Sequence, residues 1–381
     1  MTGLRIVADE NIPLLEEFFS GLGTITRLPG REISARQVRD SDVLLVRSVT
    51  TVNEPLLRNS AVQFVGSCTI GVDHLDLEYL QSRKIHWSNA PGCNANSVVE
   101  YVCSALARLR PDWLDATFGI VGCGNVGGRL HRLLRALDVR CRVFDPFLSG
   151  ADNPDLGDLD EVLQCEVVCL HAPLTQTGPH PSYHLLDATR LQRLPEHGLL
   201  ISAGRGAVVD NQALKQVLIE RQTLQAVLDV WEPEPDLDVE LLQRVRLASP
   251  HVAGYSYDGK VMGTAMIYRA LLQYLRRPVE SLEDLLRERL QGTRNLRPRS
   301  RSRQAALNEV ILGALDISLD DAQMRGLAKL PSNERGAYFD TLRKHYRMRR
   351  EFHGFRVVLA DDVEERSRVV SDMRRLGFQV D

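Results

Sequence analysis

The chain has no C-x-x-C pair, no excess of positive charge and no apolar run of membrane-spanning length, and each absence excludes something. Its seven cysteines (Cys68, Cys93, Cys103, Cys123, Cys141, Cys165, Cys169) are odd in number and fall mostly within apolar runs. They read as structural thiols in a reducing cytoplasm, not as a zinc site or a disulfide framework. A formal net charge of -3 gives no electrostatic reason to expect a nucleic acid or an anionic membrane as partner. No segment approaches the roughly 20 apolar residues that a spanning helix needs, and Met1-Thr2-Gly3-Leu4 runs directly into a strand pattern without a leader. Internal repeats are absent as well. A single basic run, 294–303, interrupts the later part of the chain and reads as a solvated boundary, not a nucleic-acid patch.

What remains is an ordinary globular composition, 44% hydrophobic and 25% charged, over 381 residues, enough for two or three domains. Short apolar runs alternate with helical patterns from the start. Strands are expected at Leu4–Ala8, Val43–Arg47, Val62–Gly66 and Ile85–Ser88, with a helix over Pro13–Phe19 capped by Asn11. This βαβ rhythm predicts a small parallel-sheet domain. After Ala90-Pro91-Gly92 a second series follows: Thr117–Val121, Cys141–Phe144, Val167–Leu170, Leu199–Ser202, Gln225–Leu228 and Arg246–Ala248. Amphipathic helices over Val126–Leu137 and Asn211–Glu220 lie between them, so a doubly wound sheet is expected. A helix over Val261–Tyr274 is expected to return to the first domain. Beyond the basic run, helices near Ala305–Gly313 and Glu334–Arg347 precede a small β-α-β ending at Val380.

Gly122-Cys123-Gly124-Asn125-Val126-Gly127 follows a strand pattern and precedes a helix pattern, the context a dinucleotide-binding turn requires. Its glycines make a tight turn, admit a pyrophosphate and let helix and strand approach, while the helix N-terminus favours the phosphate charge. Asp145 ends the next strand, where an acid bonds the adenosine ribose and repels a 2′-phosphate; NAD is therefore expected. Arg142 is placed on the other face by strand alternation.

Downstream, Arg205, Glu234 and His251 each follow a short apolar run. An arginine can hold a carboxylate by two parallel bonds, and a histidine oriented by an acid can take a hydroxyl proton as a hydride leaves. Together they suit oxidation of a 2-hydroxy acid by a nicotinamide cofactor. Against this stand plainer readings: a salt-bridged arginine, a structural histidine, and a capping role for Asp229. Glu232 and Asp236 read as solvent-facing loop acids. His180 and His184 have weaker claims, and His171 is the strongest rival base.

The glycine motif with Asp145, Ser202–Asp210, Asp229–Pro235 and Ser249–Gly254, in that order, resemble the D-isomer-specific 2-hydroxyacid dehydrogenases, over about residues 1–280. The resemblance implies that Arg205 binds the substrate carboxylate and carbonyl oxygen, that His251 is the acid/base and that Glu234 orients it. It also implies a lid domain and an NAD domain closing over the substrate. Further stretches (Ala8–Pro13, Val46–Thr50, Gly66–His74, Ala90–Ala95, Gly254–Gly259) are similar to a branch of that family acting on a phosphorylated 2-hydroxy acid. By that likeness Ser48, Thr69 and Tyr255 contact substrate, and Asp145, Ala172, Asp229 and Gly254 contact cofactor. Neighbouring Arg47 supplies a cation for a phosphate. One departure is Ala172, where the family pattern has a threonine, so only backbone remains to touch the cofactor.

The expected architecture is α/β throughout. A flavodoxin-like substrate domain spans 1–97, completed by 255–285; a doubly wound parallel-sheet NAD-binding Rossmann domain spans 98–254; a small α/β C-terminal domain spans 286–381. The helix Val98–Arg110 leads almost at once through Pro111-Asp112-Trp113 into a strand, leaving no room for the dimerisation arm of many relatives. A homodimer through the C-terminal domain is expected instead, with no metal. Other substrates of this chemistry (3-phosphoglycerate, glyoxylate or hydroxypyruvate, branched acids) and a silent NAD-sensing protein are the competing readings.

Overall fold

The computed structural model describes residues 3–151, 153–287, 289–290 and 294–381. Met1, Thr2, Asp152, Glu288 and residues 291–293 lie outside them, the last three just ahead of the basic run. The chain divides into two compact units, Met1–Asn94 with Ser256–Gly292, and Ala95–Tyr255 with Thr293–Asp381.

In the first unit five parallel strands, β1 (Leu4–Asp9), β2 (Gly23–Leu28), β3 (Val43–Val46), β4 (Phe64–Ser67) and β5 (His86–Ser88), lie in the order β2-β1-β3-β4-β5. This is the flavodoxin-like order. The central strands β3 and β4 are buried along their whole length, as expected of a sheet covered on both faces. Strand β2 was not expected: it carries Thr24, Thr26 and Arg27 and half its residues face solvent, because it is the edge. Asn11 does not cap the following helix. Its amide and side chain both donate to the buried Asp9 carboxylate, at 2.8 and 3.2 Å, and the helix begins only at Leu15.

The second unit holds six parallel strands: β6 (Thr117–Val121), β7 (Arg140–Phe144), β8 (Val167–Leu170), β9 (Leu199–Ser202), β10 (Gln225–Leu228) and β11 (Leu247–Ala248). Their order is β11-β10-β9-β8-β6-β7. A single parallel bridge, Val143 to Leu156, extends the sheet beyond β7 where a doubly wound sheet has its third strand. The chain reverses direction between β6 and β8, so the crevice for a ligand lies outside the carboxyl ends of these two strands.

The C-terminal segment shares this unit's core instead of standing apart from it. Leu307, Val310, Ile311, Phe352 and Met373 pack in one cluster with Val102, Leu106, Trp113 and Phe118. Here the short link after the helix Ala95–Leu109 is used: the Trp113 indole donates to Asn308 Oδ1 at 2.9 Å, and Asn308 Nδ2 donates to the Pro111 carbonyl at 2.8 Å. The Ser104 hydroxyl likewise donates to the Leu315 carbonyl at 2.8 Å. Part of the basic run is not a linker. Arg294–Leu296 forms β12, which opens a three-stranded parallel sheet with β13 (Phe355–Val357) and β14 (Gln379–Val380) in the order β12-β13-β14.

Replacing Asn308 with alanine leaves the buried Trp113 indole N–H without a partner, at a cost of about 1–3 kcal/mol, and removes the tie to the exposed Pro111 carbonyl. Urea unfolding is expected to show a lower midpoint with an unchanged slope. An unchanged midpoint would contradict this account of how the C-terminal segment is held.

Candidate active site

The glycine turn has the shape a dinucleotide requires. Gly122 has φ +86°, a left-handed conformation that side chains disfavour, and a Cβ there would meet the Ala172 backbone at 2.7–2.8 Å. A Cβ at Gly127 would overlap the Gly122 carbonyl oxygen, whereas one at Gly124 would meet nothing within 4 Å. The turn is therefore closed toward the sheet and open at its outer edge, where a pyrophosphate approaches. The helix that follows, Gly127–Ala136, has no side-chain cap at its N-terminus, which suits an anion there, although the Gly128 amide already donates to the Gly124 carbonyl at 2.9 Å. Asp145 lies just past β7, and its carboxylate accepts from the Cys123 amide at 2.8 Å and the Phe147 amide at 3.0 Å. It thus holds the glycine turn as well as lying where a ribose would be read. These residues fit an NAD molecule. Arg142 is exposed on β7, as alternation predicts.

Arg205, Glu234 and His251 follow β9, β10 and β11, three adjacent parallel strands. Their loops are tied together. Gly206 passes so close to Trp231 that a Cβ would overlap the Trp231 carbonyl oxygen. Asn211 joins the Arg205 loop to the Glu234 loop, donating to the Val209 carbonyl at 2.9 Å and accepting from the Glu232 amide at 3.1 Å. The half-buried Arg205 guanidinium donates to its neighbour's Gly204 carbonyl at 3.0 Å.

Asp229 organises the histidine loop. It is 1% exposed, and its carboxylate accepts from the Ser249 hydroxyl at 2.5 Å, the Val252 amide at 2.8 Å and the Ala253 amide at 3.0 Å. The His251 amide in turn donates to the Asp229 carbonyl at 2.7 Å. These bonds hold His251 at φ +57°, a strain of about 1–3 kcal/mol that persists only where the surroundings impose it. The plain capping reading of Asp229 accounts for its bonds; any cofactor contact it makes shares these oxygens.

Held this way, His251 meets Glu234 through Nδ1 at 2.8 Å, and the Trp231 amide donates to the other Glu234 oxygen at 2.9 Å. Burial pushes the Glu234 carboxyl up, but the His251 bond and charge, the Trp231 amide and the Arg343 guanidinium together outweigh it. Glu234 is held below the usual carboxylate range.

Two other histidines compare differently. His171 follows β8 at the reversal point, half-buried, with both ring nitrogens buried and neither hydrogen-bonded; burial pushes it down to about 4. With no carboxylate to orient it, it lacks what a base needs. His184 was underrated by sequence, because its partner is 48 residues away: Nε2 lies 2.8 Å from Glu232, so Glu232 is no idle loop acid. The signal available was only a second histidine and a second acid in the same two loops.

In the first unit, Arg47 and Ser48 follow β3 and Thr69 follows β4. Thr69 Oγ1 lies 2.9 Å from Ser67 Oγ, which lies 2.9 Å from His74 Nε2. Sequence reasoning missed Lys260, on the helix Tyr257–Tyr274. Burial, and then the Arg47 charge, push its ammonium down to about 8. Tyr255 belongs to the second unit, where its hydroxyl accepts from Arg343 at 3.2 Å.

Residues 102–253 match the family model of the D-isomer specific 2-hydroxyacid dehydrogenase NAD-binding domain, and residues 291–373 match a domain of unknown function. The chain is 52% identical over 368 residues to an erythronate-4-phosphate dehydrogenase of Cellvibrio japonicus, covering 95% of this chain and 96% of that one. A Pseudomonas syringae pv. tomato protein of the same name is 48% identical over 380 residues, covering 98% and 99%. In fold it is similar to NAD+-bound 3-phosphoglycerate dehydrogenase from Entamoeba histolytica (TM-score 0.62, 21% identity, 72% of this chain and 96% of that one). A D-lactate dehydrogenase from Aquifex aeolicus, complexed with NAD and lactic acid, has a TM-score of 0.60 at 18% identity, covering 71% and 96%. The chain belongs to the D-isomer-specific 2-hydroxyacid dehydrogenases and, within them, to the erythronate-4-phosphate dehydrogenase group. It is an NAD-dependent dehydrogenase.

Replacing Asp145 with alanine is expected to weaken NADH binding, by loosening the glycine turn, and to raise the ratio of NADP to NAD turnover by removing the charge that repels a 2′-phosphate. An unchanged ratio, with both cofactors assayed side by side, would remove Asp145 from the ribose.

Proposed function

We propose that this dehydrogenase oxidises 4-phospho-D-erythronate at C2 to 2-oxo-3-hydroxy-4-phosphobutanoate, as a step of pyridoxal 5′-phosphate (vitamin B6) biosynthesis. The observation that carries the reading is the match to erythronate-4-phosphate dehydrogenases along nearly the whole chain, C-terminal segment included. The His251–Glu234 pair supports it, being the proton-handling unit that such an oxidation needs.

With Nδ1 turned to Glu234, Nε2 of His251 is the nitrogen that takes the C2 hydroxyl proton. Glu234 fixes the ring and stabilises the imidazolium that results. Bound NAD supplies the acceptor for the C2 hydride. Arg205 holds the substrate carboxylate by paired bonds and draws on the oxygen that becomes the carbonyl. Gly122, Gly124, Asn125, Val126, Gly127 and Asp145 bind the cofactor, with Ala172, Asp229 and Gly254 along its length. Ser48, Thr69 and Tyr255 bind the substrate's polar groups, and Arg47 neutralises its phosphate.

The active species is a homodimer assembled through the C-terminal domain, working in the cytoplasm. Seven cysteines, none in a disulfide, suit a reducing compartment, and among the described residues no helix is long and apolar enough to cross a membrane.

Steady-state comparison of 4-phospho-D-erythronate with 3-phosphoglycerate is expected to favour the former in kcat/KM; preference for 3-phosphoglycerate would sink the substrate assignment. His251→Asn is expected to cut turnover about 10²–10⁴-fold while NADH binding stays intact. Arg205→Ala should lose both rate and substrate affinity. If His251→Asn instead acts mainly by weakening NADH binding, the histidine is not the base.

A further inference from the structure

We infer that Arg343, on a helix of the C-terminal segment, is a positioning residue of the active site, fixing Tyr255 and the Glu234 carboxylate that orients His251. The inference rests on the roles proposed above for Glu234 and His251. It gives the segment matching a domain of unknown function a part in the chemistry as well as in packing.

The helix Ser332–Lys344 lies on the loop that carries Glu234. A Cβ at Gly336 would meet Asp236 Oδ1 at 2.8 Å and Pro235 Cγ at 3.2 Å, so backbone packs directly on that loop. Phe339, one turn further on, is fully buried in a cluster with Trp231 and Leu237, the two apolar residues that bracket Glu234. Arg343 follows after another turn, at the spacing that puts it on the same helix face. Its Nη2 donates to the Tyr255 hydroxyl at 3.2 Å, and the guanidinium carbon lies 5.8 Å from that ring's centroid.

The electrostatics run the same way. Arg343 is one of the groups that hold Glu234 low, along with His251 and the Trp231 amide. Burial pulls the guanidinium down; Tyr255, Glu234 and Asp340 more than restore it. The charged groups facing Glu234 are thus His251 and Arg343, and those facing Arg343 are Glu234, Asp340 and the Tyr255 phenol. A second arginine of the same segment secures the far end of the histidine loop: buried Arg349 donates to the Ala253 carbonyl at 3.0 Å and to the Ser97 carbonyl at 2.5 Å. Tyr346 completes the wall, edge-on to Tyr255 with ring centroids 6.1 Å apart.

A helix whose only task was packing would have no use for a half-buried guanidinium at this place. Its Nε has no hydrogen-bond partner, a cost that an apolar residue would avoid. The cation is instead where it bonds a tyrosine hydroxyl and adds to the groups that hold Glu234 low.

The test uses the full-length enzyme with Arg343→Met and Arg343→Lys, each checked for unchanged melting temperature and NADH affinity. Removing the cation lets the Glu234 carboxyl rise toward its ordinary value, so that it protonates at a higher pH. The acidic limb of kcat/KM is therefore expected to move to higher pH in Arg343→Met. Substrate KM should rise as Tyr255 loosens, kcat/KM should fall roughly 10- to 100-fold, and lysine should restore part of both. A pH profile superimposable on that of the unsubstituted enzyme overturns the inference, even if activity falls, because a packing defect would do that. Should Arg343→Met fail to fold, Arg343→Gln, which also lacks the charge, carries the same pH test. His251→Asn, run in parallel, separates the two readings. Turnover surviving in His251→Asn removes the base itself; its loss, with Arg343 variants unchanged, removes only the role of Arg343.

Discussion

The buried carboxylate of Asp229 is the point from which the site is built. It ends β10 and gathers the Ser249 hydroxyl and the Val252 and Ala253 amides from the loop after β11. A loop held at three points has little freedom, and His251 is forced into a left-handed conformation that it would not choose alone. That conformation turns Nδ1 toward Glu234. Arg349 fixes the same loop from its other end, through the Ala253 carbonyl. Two buried charges from distant parts of the chain thus aim one imidazole. The geometry is set by the chain's own bonds, which is what preorganised proton transfer requires.

The roles proposed for the second unit divide along its sheet. Carboxyl ends of β6 and β7, with the Gly122–Gly127 turn and Asp145, form the side proposed for the cofactor. Carboxyl ends of β9, β10 and β11 carry Arg205, Glu234 and His251. His171 lies between them at the reversal point, its ring nitrogens buried, and is neutral at physiological pH. The His184–Glu232 pair shows that a histidine meeting an acid is not by itself a catalytic signature. The His251 pair differs in its imposed backbone, in its second bond from Trp231, and in the cation that faces its carboxylate.

Much of this was legible in the sequence, for reasons of range. The glycine turn is a local pattern, since turn, strand and helix are contiguous, and the trio follows strands whose apolar runs are plain. Where the sequence misled, the structure depends on edges or on long-range contact. Strands β2 and β12 lie at sheet edges, with alternating or largely exposed residues, so their apolar signal is faint; Arg294 and the arginines that follow it disguised β12 as a linker. Asn11 has the right residue type for a cap, yet Asp9 claims its donors. The Arg343–Tyr255 bond spans 88 residues and Glu232–His184 spans 48, and no spacing rule reaches so far. The C-terminal segment, expected as a small domain of its own, packs into one core with the second unit, where Asn308 and Ser104 make bonds far along the chain that no local pattern announces.

The central claim is that hydride leaves C2 of a phosphorylated four-carbon acid as His251 takes the hydroxyl proton. It can be tested most directly with 4-phospho-D-erythronate bearing deuterium at C2, oxidised in a single turnover with NAD and analysed by mass spectrometry. The account predicts one deuterium in the NADH formed, at a rate that collapses in His251→Asn. NADH formed without label, or no NADH at all from a folded, cofactor-binding enzyme, would contradict it.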